Sequence, residues 1–521
     1  MKMFEKKRMH PITIVSNIVM SIKDYFFPIF AFLFIGIAGE KKMALYYLIG
    51  GGAAVLLILI SAFISWLRFV YWIEDQEIRI ESGLFIRNKR YIPFDRIQSI
   101  STSQGILQQL FDLVKMRIET AGGGTEATLT AIPLAEAEQI QRFIKEVKRK
   151  QEQTASEIGT EQEGGPPHTE TISPQIEERE QIFSLSIGEV FLVALTSGGA
   201  IGVIVGVLAF ASEFEQILPV DRMLDSAFEQ FWQSVRNDIV TGLLIALFVL
   251  VIAYIVAIIQ SMLKYANFKV EKTDKNLIVS HGLLERRSVH IPLNRIQGFV
   301  IYEGFIRKLF GLASVSIINA GVSDREELSG EVVIAPLIQR ARCAQLIETC
   351  LPEYSVDVPF HPVPKRAKRR YILRPIYILI VPVLLGVYFL KIWGWLMLLT
   401  LPFFGFLGFK AYRFAGWNIT DKQLTLRSRF FTARTVYVLK HRIQSFDIRK
   451  TWFQRRKQLA TVFAHILSGR GVISGKTIDL DAIDAEKIYR WLRGEEENIG
   501  PEKDKMEAGK LADLSQQSLG L

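Results

Sequence analysis

Three tripeptides with the same potential chemistry recur in this chain: Arg96-Ile97-Gln98, Arg295-Ile296-Gln297 and Arg442-Ile443-Gln444, each at the end of an apolar, strand-like stretch. A guanidinium fork makes paired hydrogen bonds to a phosphate or carboxylate, so each arginine is a candidate ligand contact. The same arginine can instead hold the following turn by bonding backbone carbonyls or a carboxylate, and the glutamine can satisfy loop backbone groups. Both readings stay open at this level.

Further cationic candidates lie in pairs and in one cluster. Arg286-Arg287 and Arg307-Lys308 are pairs, Arg455-Arg456-Lys457 is a run, and Lys365, Arg366, Lys368, Arg369, Arg370 and Arg374 fall within residues 364–374. A cluster beside a membrane span attracts anionic lipid headgroups at about 1 kcal/mol per basic residue. It also retains its flank in the cytoplasm. Other motifs carry less. Gly122-Gly123-Gly124-Thr125 lacks the Gly-Lys-Ser/Thr of a phosphate loop. His281, His290, His441 and His465 have no acidic or cysteine partner at ligand spacing, and Cys343 and Cys350, seven apart, read as reduced thiols packing one helix face. No catalytic, metal or cofactor-binding residue is expected, and the chain does not read as an enzyme.

The positioning elements are membrane spans and small polar domains. Hydrophobic residues make up 49% of the 521 residues and charged ones 22%, a balance that points to long apolar segments. Six such segments form three helical hairpins: residues 25–39 with 43–67, 187–211 with 239–263, and 372–390 with 392–409. Basic flanks precede the first and third hairpins, whereas the tip at 212–238 has six acidic and two basic residues. The polar domains and both termini are therefore expected in the cytoplasm. The net charge of +10 follows from this topology, and nucleic acid is not expected as a partner.

A polar segment follows each hairpin, and the segments are related. An offset of 199 superimposes residues 83–122 on 282–321 with 15 of 40 identities, and a further offset of 147 brings in the third copy. There Pro292 becomes Leu439 and Gly311 becomes Gln458. His10-Pro11 and His361-Pro362 echo one another before the first and third hairpins, so the repeated unit reads as hairpin plus domain. Short alternating stretches predict strands, and 134–147, 336–350 and 481–492 predict a closing amphipathic helix in each copy. The resulting boundaries are 1–67 (N-terminal segment and first hairpin), 68–148 (first domain), 149–186 (disordered linker), 187–263 (second hairpin), 264–353 (second domain), 354–371 (basic linker), 372–409 (third hairpin), 410–494 (third domain) and 495–521 (disordered tail).

The Ile-Pro-x-x-Arg-Ile-Gln strand, the run from Arg307 to Val315 and the Ala-Gly ending, each after a hairpin, resemble the bacterial pleckstrin-homology-like (PH-like) membrane proteins, in particular the three-repeat YdbT-like family. The resemblance implies an α+β domain: a seven-stranded, partly open β-barrel closed by a C-terminal helix. It also implies a bacterial plasma membrane. The function it suggests is a scaffold in cell-envelope maintenance whose domains bind lipid headgroups or protein partners, among them a shorter single-domain relative or a second copy. A transporter or channel is the rival class. Against it, no Asp, Glu, Lys, Arg or His lies well inside a span.

Overall fold

The structure is a computed structural model, and it describes residues 6–16, 18, 41–83, 86–120, 127–158, 179–196, 239–320, 330–469 and 471–495. Each repeat contributes seven strands among these residues. The first repeat holds β1 (Lys7–Arg8), β2 (Val70–Glu74), β3 (Glu77–Ser82), β4 (Asn88–Pro93), β5 (Ile97–Gln104), β6 (Leu113–Thr120) and β7 (Ala127–Pro133). The second holds β8 (Glu180–Ser184), β9 (Lys269–Lys272), β10 (Asn276–His281), β11 (Arg286–Pro292), β12 (Ile296–Glu303), β13 (Leu312–Asn319) and β14 (Glu331–Gln339). The third holds β15 (His361–Pro362), β16 (Gly416–Ile419), β17 (Gln423–Arg429), β18 (Ala433–Leu439), β19 (Ile443–Arg449), β20 (Leu459–Ser468) and β21 (Gly471–Asp481).

The first strand of each repeat precedes its membrane hairpin and pairs with the strand that follows it. Lys7 lies opposite Tyr71, Ser184 opposite Lys269, and His361 opposite Trp417. Each expected hairpin therefore falls, in sequence, between two neighbouring strands of one sheet edge. The repeating unit is strand, hairpin and domain. His361-Pro362 corresponds to Lys7-Arg8 rather than to His10-Pro11. β8 and β15 fall in the stretches read as linkers, because a polar strand of two to five residues shows no hydrophobic period.

The strands do not close into one barrel per repeat. Four sheets form, in the orders β1-β2-β3-β4, β7-β6-β5-β11-β10-β9-β8, β14-β13-β12-β18-β17-β16-β15 and β19-β20-β21. Strand four of one repeat pairs antiparallel with strand five of the repeat before it, as β11 on β5 and β18 on β12. This corrects the expectation of three partly open barrels. An open barrel leaves two edges of unpaired N–H and C=O groups, and here β11 covers the edge at β5 and β18 covers the edge at β12. The chain divides into two compact units, with the boundary between β11 and β12.

Within the first unit, the core of the first domain joins both its sheets to the helix Leu134–Ile158, whose Ala137, Ile140 and Ile144 are buried along one face. Within the second unit, the third domain buries Ala485, Ile488 and Trp491 of the helix Ala482–Arg493. Asp481 caps that helix by accepting from the Ile483 amide, and Gly494 ends it at φ +80°. In the second repeat the closing helix is only Cys343–Cys350, since Pro336–Gln339 belong to β14. Both cysteines are free and buried.

Four helices are long and apolar enough to cross a membrane: Ile49–Arg68, Leu247–Tyr265, Lys365–Phe389 and Gly394–Phe414. Of the other two expected spans, 25–39 lies outside the described residues, and 187–211 is described only as the apolar helix Ile187–Thr196. The six-span expectation is thus met at four positions. In the second hairpin the Tyr254 hydroxyl donates to the Leu195 carbonyl (2.6 Å), and in the third a Cβ on Gly408 would lie 2.3 Å from the Tyr371 carbonyl oxygen, so the helices touch backbone to backbone there.

The third copy keeps the loop geometry despite losing its glycine. Asp112, Gly311 and Gln458 occupy equivalent positions before strand six, with φ of 49°, 64° and 52°. Left-handed backbone is unfavourable for a Gln. Gln458→Gly is accordingly expected to stabilise the protein by roughly 0.5–1 kcal/mol, the relieved strain exceeding the added chain entropy. A melting temperature equal to or below that of the parent would refute this.

Candidate membrane interface

The Arg-Ile-Gln motif is a corner between sheets. Short 3-10 turns, Phe94–Arg96, Leu293–Arg295 and Lys440–Arg442, follow strand four in every repeat. The next strand then slips register at the glutamine: its pairing skips Gln98, Gln297 and Gln444 in turn. A bulged residue bends and twists its strand, which carries the chain from one sheet to the next. The side chains differ in setting. Arg96 and Gln444 are exposed, Arg295 and Arg442 are half-buried and Gln297 is buried; the Gln98 side chain lies outside the described residues.

Most of the basic candidates have partners within the protein. On the helix that opens the third hairpin, Arg366, Arg370 and Arg374 recur every four residues and so share a face. Arg366 donates to Asp481 (2.5 Å), while Arg370 (3.2 Å) and Arg374 (2.7 Å) donate to the fully buried Asp479. The Tyr371 hydroxyl donates to the Ile478 carbonyl (2.6 Å). This face clamps the hairpin to the third domain. Lys365, Lys368 and Arg369 stay exposed. Arg287 pairs with Glu285 (3.1 Å) while Arg286 is exposed, both at the start of β11. Arg307 is half-buried. Exposed Lys308 pairs with Glu303 (3.4 Å) and sits over the Phe414 ring at 4.5 Å.

Beside these cations the structure exposes apolar side chains at equivalent places in each repeat. The helical turn between strands five and six presents Ile106, Leu107, Leu110 and Phe111 in the first copy and Phe305, Ile306, Leu309 and Phe310 in the second, with Leu110 at 75% and Phe310 at 71% exposure. Trp452 and Phe453 stand in the third, with Arg456 over the Trp452 ring at 3.8 Å. This knuckle is held rigidly from beneath. Gln108 accepts from the Gly105 amide (2.7 Å) and donates to the Thr130 carbonyl (3.1 Å); the buried Gln454 caps with Thr451 and donates to Thr461 (2.8 Å) and Asp479 (2.7 Å).

The tips between strands three and four are also apolar, with Ile86, Leu283-Leu284 and Phe430-Phe431 exposed. In the second and third repeats the tip touches the second span of the hairpin. The Leu283 amide donates to the Leu263 carbonyl (3.0 Å), and Phe431 meets Phe404 edge-on at 5.9 Å. The preceding knuckle joins them: Gln109 donates to the Leu284 carbonyl (2.9 Å). Neither knuckle nor tip stands out in the sequence as a site. Their signal is bulky apolar residues at matched positions, flanked by Arg or Lys except at the first knuckle, where Gln108 and Gln109 stand instead; such a pattern alone cannot be told from core.

Burial pushes the Cys343 thiol up to about 11, away from the reactive thiolate. Glu331 is 5% exposed, and burial raises its carboxyl against the lowering influence of Arg434 (3.1 Å) and the Tyr302 hydroxyl (2.8 Å), which hold it structurally. Among the described residues no three His, Cys, Asp or Glu side chains come together as a metal site.

The family model described as Bacterial PH domain matches residues 19–148, 216–354 and 376–496. The UPF0699 transmembrane protein YdbT of Bacillus subtilis (strain 168) is 36% identical over 501 residues, covering 94% of this chain and 98% of that one. The UPF0699 transmembrane protein YdbS of the same organism is 34% identical over 79 residues, covering 15% of this chain and 46% of that protein. No solved structure gives a significant match.

Proposed function

The chain belongs to the bacterial PH domain family as a transmembrane protein of the YdbT group, and from that premise we propose that it is a non-catalytic scaffold whose three domains seat on the cytoplasmic membrane surface and bind anionic lipid headgroups there. The observation that carries the proposal is the exposed apolar knuckle and tip, repeated in each domain, with basic side chains nearby and with the second and third tips touching a span. Aromatic and aliphatic side chains with neighbouring Arg and Lys suit the interfacial zone, where the apolar part enters the acyl boundary and the cation stays among phosphates. Lys365, Lys368, Arg369, Arg286 and Arg455 to Lys457 supply exposed charge. The described spans carry no Asp, Glu or His, which gives a proton- or ion-coupled transporter nothing to work with.

The test uses the full chain in nanodiscs of phosphatidylcholine with or without phosphatidylglycerol. An environment-sensitive fluorophore is attached in turn at Leu110→Cys, Phe310→Cys and Phe453→Cys, with Glu348→Cys as a control on a closing helix. Quenching by brominated lipid chains is expected at the three knuckles and not at residue 348. It should strengthen with phosphatidylglycerol and weaken with salt, because screening acts on exposed charges. Unquenched knuckles would overturn membrane seating. Equal quenching in both lipids would remove headgroup recognition and leave a protein partner as the better reading.

A further inference from the structure

The array of repeats ends on two edges that match one another. In both joints within the chain, strand five of one repeat pairs with strand four of the next, and the register is the same. Ile100 opposite His290 and Gln104 opposite Arg286 become, under the offsets that superimpose the repeats, Phe299 opposite Tyr437 and Glu303 opposite Ala433. Among the described residues, no strand five lies on β4 of the first repeat and no strand four lies on β19 of the third. β4 is the edge of its sheet, exposed from Asn88 to Tyr91, and β19 is the edge of its own. The covered counterpart β12 is buried along six of its eight residues, whereas no residue of β19 is fully buried.

We infer that these edges are the two halves of a third joint, in which β19 of one copy pairs antiparallel with β4 of a second copy of this chain and extends the array head to tail. The shared register gives the contacts. Phe446 falls opposite Tyr91, as Phe299 falls opposite Tyr437, whose rings stack at 4.3 Å. Asp447 falls opposite Arg90, a favourable cross-strand pair. Ile448 falls opposite Lys89 and Arg449 opposite Asn88, and both strands end before the like-charged Lys450 and Arg87 would meet. Edge strands usually carry lysine and arginine as a guard against association, and here the incoming strand supplies an acid at the matching position. Each joint within a compact unit also brings the knuckle of one repeat onto the next, at the strand three–four tip in the first (Gln109 with Leu284) and at the hairpin base in the second (Lys308 with Phe414). The Trp452-Phe453 knuckle is the one left for the first hairpin of a following copy. Membrane anchoring confines copies to one plane, so modest affinity suffices. Such a contact is heterologous, and it closes into a ring or continues as a filament.

Two differently tagged copies of the full chain, one with Phe446→Cys and the other with Tyr91→Cys, are co-expressed and oxidised in native membranes. The two native thiols are buried and stay in place. A parallel chain carrying Thr102→Cys and Ser288→Cys, register partners in the first joint, must close internally and so shows that the conditions suffice. Directly opposed residues meet disulfide geometry and residues displaced along the strand do not, so the 446–91 mixture should give about tenfold more mixed dimer than Phe446→Cys with Asn88→Cys. A chain carrying both Phe446→Cys and Tyr91→Cys should give a ladder of covalent oligomers. Internal closure at 102–288 without mixed dimer overturns the proposal. So does a doubly substituted chain that only closes on itself, or capture of a smaller native protein in place of the second copy. None of these outcomes depends on lipid binding.

Discussion

Replacing Asp479 by alanine should loosen the third domain from the base of its hairpin. The carboxylate is fully buried and accepts from Arg370 (3.2 Å), Arg374 (2.7 Å) and the Gln454 amide (2.7 Å). Alanine leaves three donors facing a site built for an anion, and breaking a buried pair from one side costs about 3–5 kcal/mol. The lower end applies, because the Arg374 side chain is 39% exposed and water can take over part of the role. The residue also has φ +56°, which Asp and Asn tolerate far better than Ala. Asp479→Asn separates the causes: it keeps the backbone preference and an oxygen acceptor but not the charge, so it should fall between parent and alanine. Thermal unfolding of the full chain in nanodiscs reads the order. Identical melting of Asp479→Ala and parent would remove the clamp from this account.

Gly298→Val should open the second joint and leave the first intact. A Cβ at Gly298 would lie 2.6 Å from the Tyr437 carbonyl oxygen, a backbone atom with little room to yield. The glycine allows pairing to run one residue nearer the corner, since Gly298 pairs with Val438 while the equivalent Ser99 and Ile291 do not pair across the first joint. Overpacking against a fixed atom costs roughly 1–3 kcal/mol, enough to raise local opening between β12 and β18 about fivefold or more. Amide hydrogen exchange of the full chain should therefore quicken in β12 and β18 and stay unchanged in β5 and β11. Uniform exchange rates in both joints would refute the steric argument.

Much of the domain was legible because repetition multiplies a weak signal. One Arg-Ile-Gln is unremarkable, whereas three at fixed offsets establish a repeat, and the closing helices show through periodic apolar positions such as Ala137, Ile140 and Ile144. The first strands were not legible, since Lys7-Arg8 and His361-Pro362 are recognisable only by what they pair with. The basic cluster was legible as charge but not as contacts. Arg366, Arg370 and Arg374 read as lipid contacts or topological signals, yet their partners Asp479 and Asp481 lie more than a hundred residues away.

Composition and order alone determined the four described spans, the three-fold repeat and the family, because hydropathy and local periodicity are properties of contiguous residues. Tertiary structure decided which edges pair between repeats, that Arg-Ile-Gln is a bulged corner, and which apolar residues stay outside the core. Those outcomes depend on pairing across nearly two hundred residues in the first joint and well over a hundred in the second. An apolar residue turned to a core and one turned to a bilayer have the same chemistry until the chain folds and gives each its surroundings.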